Sequence, residues 1–135
     1  MILDNDEHLI EEISKALVNE VKQYNFYNKL AELAPKEEYQ HLIIKIQSDE
    51  IKHFQWLNKI LPTLDGLQSS EPDEIISFEF EEGLSIAIQN ELDSAICYLR
   101  LSSRAVSTKG RLYFKNAALD EQRHLSLLQY ILMNL

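Results

Sequence analysis

The strongest constraint on this chain is a spacing that occurs twice. Glu20 and Glu50 stand 30 positions apart, as do Glu91 and Glu121, and each second Glu is followed three positions later by a histidine, His53 or His124. The second set lies 71 residues after the first. At that offset Glu11/Glu82, Ala16/Ala87, Asn19/Asn90, Tyr27/Tyr98, Leu30/Leu101, Ala34/Ala105, Asp49/Asp120, Leu57/Leu128 and Ile60/Ile131 are also identical. The chain reads as one unit made twice.

Within each unit the apolar residues recur at helical spacing. A first helix is expected from near Asp6, an N-cap whose counterpart is Ser77, with Glu7, Glu11 and Glu12 suiting the positive helix end. Its stripe is Leu9, Ile13, Ala16/Leu17, Glu20, Tyr24, Tyr27 and Ala31. Pro35 marks a break and suits the first turn of a second helix, from about Lys36 to Leu61. That helix turns Tyr39, Leu42/Ile43, Ile46, Glu50, His53, Leu57 and Ile60 inward. A third helix is expected after Ser77 to about Val106, with Gly83 a mild weakness in it and a seam of Phe80, Leu84, Ala87/Ile88, Glu91, Ala95, Tyr98 and Leu101. Ser107, Thr108 and Gly110 supply a turn. The fourth helix, from about Lys109 to Met133, packs Phe114, Ala117, Glu121, His124, Leu128 and Ile131. The 16 residues 62–77 collect two Pro, one Gly and three Ser. Fully extended they reach about 50 Å at roughly 3.3 Å each, enough to pass along a helix of about 26 residues, roughly 39 Å long. The expected fold is all-α: a four-helix bundle of two pseudo-repeated helical hairpins, with a long crossover between helices 2 and 3, in one domain over residues 1–135.

Folding each half at its midpoint, residue 35 or 106, brings its two Glu side by side, about 22 Å from the turn at 1.5 Å per residue. Residues i and i+3 share a helix face, so each Glu-x-x-His offers a carboxylate and an imidazole in one direction. A two-fold relation between the hairpins then puts Glu20, Glu50, His53, Glu91, Glu121 and His124 on one level. All six sit on apolar seams, where an unpaired charge costs several kcal/mol even after relaxation. Four facing carboxylates would cost more, and their pKa values would rise. Two divalent cations remove the conflict, because four negative charges balance four positive ones and neutral imidazoles add nitrogen. Mixed carboxylate and imidazole ligation suits iron or manganese. Single Glu from two helices with Glu-x-x-His from two others is the ligand pattern of di-iron carboxylate bundles. Asp49 and Asp120, next to the motifs, are expected to accept a ring N–H from a ligand histidine and fix its tautomer. Tyr27 and Tyr98, seven positions after the lone Glu, are placed to donate to a ligand carboxylate.

Several functions are excluded. A net charge of -9 opposes binding to nucleic acid and to anionic membrane surfaces. The lone Cys97 rules out an internal disulfide and a cysteine-rich zinc or iron–sulfur site, and reads as a small buried hydrophobe. The first residues, MILDNDEHLIEE, lack the pattern of a signal peptide, and no apolar run approaches the roughly 18 residues of a membrane span. A cytoplasmic location is expected. Glu38-Tyr39-Gln40-His41 repeats the Glu-x-x-His spacing, but its offset partners are Lys109 and Leu112, so it is rejected as a ligand pair. His8 and His41 read as surface residues, and Trp56 as packing.

With these residues in view the chain resembles the ferritin-like superfamily, in particular rubrerythrin-type and bacterioferritin-type di-iron domains. The resemblance rests on Asn19-Glu20 with Tyr27, Asp49-Glu50-x-x-His53, Asn90-Glu91 with Tyr98, and Asp120-Glu121-x-x-His124. It implies that Glu50 and Glu121 bridge two iron ions, that Glu20 and Glu91 are terminal ligands, and that His53 and His124 bind one metal each; the bridging and terminal roles are interchangeable without altering the ligand list. The departures are also informative. Rubrerythrins carry a four-cysteine rubredoxin-like module, absent here, so no rubredoxin-type iron site is expected. Their further third-helix Glu, three positions beyond the ligand, is replaced by Ser94, which removes a ligand switch through that Glu. Bacterioferritins place a haem-binding Met where Ile51 stands, so no haem is expected. Cage ferritins extend past the fourth helix, and this chain stops at Leu135, so a homodimer or small homo-oligomer is expected in place of a storage shell.

The functional expectation is an oxidoreductase of ferroxidase or peroxidase type. It reduces dioxygen or hydrogen peroxide as Fe(II) is oxidised and is re-reduced by an external electron donor, with no catalytic residue beyond the metal ligands. The alternatives are a non-catalytic iron-binding or storage protein, or a structural bundle with a vestigial site.

Overall fold

The computed structural model describes residues 7–61 and 77–135. Four helices form, α1 (Glu7–Leu33), α2 (Glu37–Ile60), α3 (Phe80–Arg104) and α4 (Thr108–Met133), with no strand among the described residues. Short connections at 34–36 and 105–107 make α1/α2 and α3/α4 antiparallel hairpins, and the hairpins meet through α1 against α3 and α2 against α4. Contacts between hairpins reveal their sense. Tyr27 reaches Glu91 while Tyr98 reaches Glu20, and His53 reaches Asp120 while His124 reaches Asp49. Rising numbers on one helix meet falling numbers on the other, so α1 runs antiparallel to α3 and α2 to α4. Consequently α2 and α3 point the same way. The expected crossover joining them, at 62–76, lies outside the described residues, as does the expected cap Asp6.

Two apolar clusters fill the bundle. One gathers Leu9, Ile13, Leu17, Leu57, Leu101 and Phe114 at one end; the other gathers Leu30, Ile43, Ile46, Leu84, Leu128 and Ile131 at the opposite end. The six polar residues of the duplicated motif lie between them. No helix among the described residues is long and apolar enough to cross a membrane.

Several helix boundaries differ from the expected ones for local reasons. Ser77 does not cap α3, which starts three residues later with Glu79 at the N-cap and no side-chain cap. Extended chain instead carries Phe78 onto Phe26, with ring centroids 4.9 Å apart. Thr108 and Gly110 belong to α4, because the Ser107 hydroxyl accepts the Gly110 N–H at 3.0 Å and starts the helix early. Pro35 ends α1 without entering α2, whose N-cap is Lys36. Tyr24, expected on the seam, is 40% exposed; Gln23, 5% exposed, takes the inward place and faces the α1/α3 cleft.

Gly83 is more than a weak helix residue. A Cβ there would lie 2.6 Å from the Phe78 ring and 2.7 Å from Leu30. Overpacking costs ~1–3 kcal/mol, against the ~1 kcal/mol that Ala gains over Gly inside a helix. Gly83→Ala is therefore expected to lower stability, by about 1–2 kcal/mol at the upper end of that balance. Urea unfolding checks this, and a higher midpoint would contradict it.

Candidate metal centre

Each helix presents its part of the motif on its buried stripe: Glu20 from α1, Glu50 and His53 from α2, Glu91 from α3, Glu121 and His124 from α4. None is more than 1% exposed. Their donor atoms fall into two groups, Glu20, Glu50, His53 and Glu121, and Glu50, Glu91, Glu121 and His124, with the atoms of each group within 4.8 Å of one another. Glu50 and Glu121 belong to both groups. The structure thus brings together all six residues expected from the spacing, and it does so with the two-fold relation implied by the duplication.

The histidine rings are oriented from outside the cluster. His53 Nε2 lies 2.8 Å from Asp120 Oδ2, and His124 Nε2 lies 2.7 Å from Asp49 Oδ2. A carboxylate oxygen only accepts, so in each pair the ring nitrogen carries the hydrogen and donates it. That leaves Nδ1 as the inward atom. His53 Nδ1 is 3.3 Å from Glu121 and 3.7 Å from Glu20. His124 Nδ1 is 3.3 Å from Glu91 and 3.4 Å from both Glu50 and Glu121. Both aspartates act as expected, but across the hairpins: each orients the histidine of the other half.

The tyrosines cross in the same manner. The Tyr27 hydroxyl donates to Glu91 Oε1 at 2.5 Å, and the Tyr98 hydroxyl donates to Glu20 Oε1 at 2.8 Å. Burial, followed by the neighbouring carboxylates, pushes both phenols well above their ordinary range, so they remain donors.

Two basic residues complete the surround and were not singled out from the sequence. Lys52 Nζ lies 3.1 Å from Asp120, and an Arg123 nitrogen lies 2.8 Å from Asp49 and 3.2 Å from Asp120. Burial alone would raise both aspartates. For Asp49 the bonds from His124 and Arg123 outweigh burial, and for Asp120 those from His53 and Lys52 do, so both carboxyls fall below their usual range. A signal was available: Lys52 and Arg123 are themselves 71 apart, a basic residue directly before each ligand histidine.

Inside the cluster, hydrogen bonding stops short. Glu20 Oε2, both oxygens of Glu50, both oxygens of Glu121 and His53 Nδ1 are buried with no hydrogen-bond partner. Buried polar atoms are nearly always paired, and leaving one unpaired costs ~1–3 kcal/mol or more. Six such atoms converging on one layer are a donor set that lacks its acceptor, and oxygen with imidazole nitrogen fits iron or manganese. Protonation meets part of the charge problem in the metal-free chain. Burial, the largest cause, raises Glu20 to about 7 and Glu50 to about 8. It also raises Glu91, and lifts Glu121 well above the carboxylate range. Burial works against a charged His124, yet the carboxylates of Glu121, Glu50 and Glu91 outweigh it and push the imidazole far upward. These shifts all favour holding protons where cations would otherwise supply the charge.

A cleft of about 320 Å³ between α1 and α3 opens towards Glu20 and Tyr98. Asn19, Gln23, Asn90, Ser94 and Cys97 line it, and Asn19 donates to the Ser94 hydroxyl at 3.2 Å. Cys97 is partly buried on its wall, where burial raises its thiol pKa. The residues set aside from the site stay outside it: His8 and His41 are exposed, and Glu38 accepts a hydrogen bond from Tyr130 at 3.1 Å. Trp56 stacks on Tyr113 with ring centroids 5.4 Å apart.

Comparison with known proteins agrees with this geometry. The sequence model of the rubrerythrin family matches residues 11–132. The chain belongs to the rubrerythrin family. A similar relative is the uncharacterized protein YhjR of Bacillus subtilis strain 168, 32% identical over 130 residues, which cover 95% of this chain and 89% of the relative. Among solved structures, a ferritin-like, diiron-carboxylate protein from Bacillus anthracis strain Ames superposes with a TM-score of 0.81 at 22% identity, covering 96% of this chain and 99% of that one. A hypothetical protein from Pyrococcus furiosus gives a TM-score of 0.80 at 22% identity, covering 95% and 90%. These structures establish the ferritin-like fold. Membership of the rubrerythrin family and the buried Glu/His cluster together support di-iron binding by this chain.

Proposed function

We propose that this rubrerythrin-family chain is a di-iron oxidoreductase that oxidises Fe(II) while reducing dioxygen or hydrogen peroxide. The reading is carried by one observation: six buried, unpartnered donor atoms converge where two donor groups share Glu50 and Glu121. On this reading Glu50 and Glu121, common to both donor groups, would be ligands to both iron ions; Glu20 and His53 would hold one ion, and Glu91 and His124 the other. When bound, the iron pair supplies the two electrons that the oxidant takes up, and an external donor restores them.

The chain's own contributions are positional and electrostatic. The two apolar clusters keep water from the layer above and below, which strengthens every electrostatic contact within it. Asp120 and Asp49 hold the rings with Nδ1 inward. Tyr98 and Tyr27 hold one oxygen of Glu20 and of Glu91, so each terminal carboxylate keeps its orientation. The α1/α3 cleft gives a small oxidant a route towards the Glu20 side.

Anaerobic titration with Fe(II), followed by either oxidant, tests the reading. Two iron ions per chain are expected, then a ferric absorption band. Two bound ions with no band from either oxidant would favour iron storage, and no stoichiometric metal would favour a vestigial site. Asp49→Asn and Asp120→Asn are each expected to weaken metal affinity about 10–100-fold by loosening the ring that each aspartate holds. Mn(II) titration of the variants checks this, and unchanged affinity in both would remove the orienting role.

A further inference from the structure

We propose that Trp56 and Tyr113 form an electron path between the His53 side of the metal centre and the protein surface, a proposal that rests on the oxidoreductase reading above. The Trp56 ring lies 5.6 Å from that of His53, centroid to centroid, and stacks on Tyr113 at 5.4 Å with 19° between the planes. Both separations are those of rings in direct contact. His53, Trp56 and Tyr113 also line one cavity of about 10 Å³, about the space of one water, so the three are contiguous. His53 is buried, whereas Trp56 and Tyr113 are both partly exposed. A ligand histidine is thus joined to solvent through an indole and a phenol, the aromatic side chains that give up an electron most readily.

The duplication supplies an internal control. At the offset of 71, Trp56 corresponds to Leu127 and Tyr113 to Leu42. Both leucines are partly buried and pack against the second apolar cluster. The equivalent positions beside His124 are therefore filled by aliphatic side chains, which cannot relay an electron. Packing in this architecture does not demand rings at these two positions, because the other half does without them. The metal ligands do not demand them either, because all of them recur in both halves. What the two rings add is a route from one histidine to the surface.

Two cations restrict when the route works. Lys52 Nζ lies 5.2 Å from the Trp56 ring centroid, and Lys109 Nζ lies 5.7 Å from that of Tyr113. An ammonium is attracted to the face of a neutral ring. Removing an electron from the ring turns that attraction into repulsion. The pair therefore gives electrons to a strong oxidant and not to resting ferric iron. Peroxide takes up two electrons and two protons as its O–O bond breaks to give two waters. When iron supplies one of those electrons, Trp56 supplies the other. Tyr113 then refills Trp56 and releases its phenolic proton to solvent. An enediol reductant such as ascorbate, reaching the exposed edge, returns one electron and one proton to Tyr113.

Pulse radiolysis of the metal-free chain tests the pair itself. Azide radicals oxidise Trp56, the chain's one tryptophan. The tryptophan radical band is expected to decay into a tyrosyl band at a rate independent of protein concentration. Tyr113→Phe is expected to abolish that conversion; its persistence would make another tyrosine the acceptor and overturn the proposal. The link to the metal centre is tested by adding one equivalent of Fe(II) and then hydrogen peroxide. Rapid-freeze electron paramagnetic resonance is expected to show a tyrosyl radical in wild type. Trp56→Phe, Tyr113→Phe and Trp56→Leu/Tyr113→Leu, which copies the leucines of the other half, are each expected to lose that signal. Circular dichroism and Mn(II) titration are expected to show the fold and the metal affinity retained. A signal that survives in any of the three, or a ferric band with no radical in wild type, would overturn the proposal. Failure of wild type to form a ferric band with full Fe(II) would instead overturn the oxidoreductase reading beneath it.

Discussion

Glu50→Ala and Glu121→Ala are each expected to lose binding of both metal ions, whereas Glu20→Ala and His124→Ala lose chiefly one. The asymmetry follows from membership of the donor groups. Glu50 and Glu121 lie in both, while Glu20 belongs to one and His124 to the other. Removing a shared carboxylate takes a ligand from each ion and also leaves fewer negative charges to neutralise two divalent cations. The fold is expected to survive. Both Glu50 oxygens are buried without a partner, so its desolvation opposes folding in the metal-free chain. Relief of that cost offsets the packing lost on truncation. At a free metal concentration near 100 times the dissociation constant, binding contributes about 2.7 kcal/mol of stability, and this increment should vanish in both shared-ligand variants. Elemental analysis with thermal melts, with and without Mn(II), tests this. If Glu50→Ala and Glu121→Ala each retained two ions per chain, the bridging assignment would fail. A chain that unfolds without a metal effect would point to a purely structural carboxylate.

The six side chains were legible because helical periodicity and duplication act on the same residues. A period of 3.6 says which side of each helix is buried, and the offset of 71 says which polar residues on that side recur. Asp49, Asp120, Tyr27 and Tyr98 emerged by the same route. Their pairing across hairpins did not, because spacing along one helix carries no information about how two hairpins meet. Asp49 shares a helix face with His53, yet the bundle places it against His124. Other features depend on packing in three dimensions. The start of α3 is delayed by Phe78 reaching Phe26, and Gly83 is needed because that same ring and Leu30 occupy the space beside it. Gln23 displaces Tyr24 from the inward stripe because the side of α1 that is covered there faces α3. Lys52 and Arg123 were visible in principle, as like-charged rather than identical partners at the repeat offset.

Metal-free protein is expected to lose stability as pH rises from about 5 to 8, and bound metal should reverse that trend. The sign follows from linkage. Burial raises Glu20 to about 7 and Glu50 to about 8, from an ordinary value of 4.5. Between those limits the folded chain keeps protons that the unfolded chain has released. A group raised in this manner contributes stability below its unfolded pKa and loses it as pH climbs through the folded one. Each retained proton makes stability fall by about 1.4 kcal/mol per pH unit, so two give a slope near 3 kcal/mol per unit around pH 6. The upward shifts of Glu91, Glu121 and His124 act in the same direction. Asp49 and Asp120 act in the opposite direction, since their lowered pKa values contribute stability that is lost only in stronger acid. Cations change the balance because they take the carboxylates in their charged form and displace the protons. Metal affinity should therefore increase with pH over the same interval, with protons released on binding. Urea unfolding at several pH values, with chelator or with Mn(II), measures both trends. A chelated protein whose stability is flat or rises between pH 5 and 8 would show that the buried carboxyls do not hold these protons. A metal-induced increment that shrinks with rising pH would show that the cations are not binding to them.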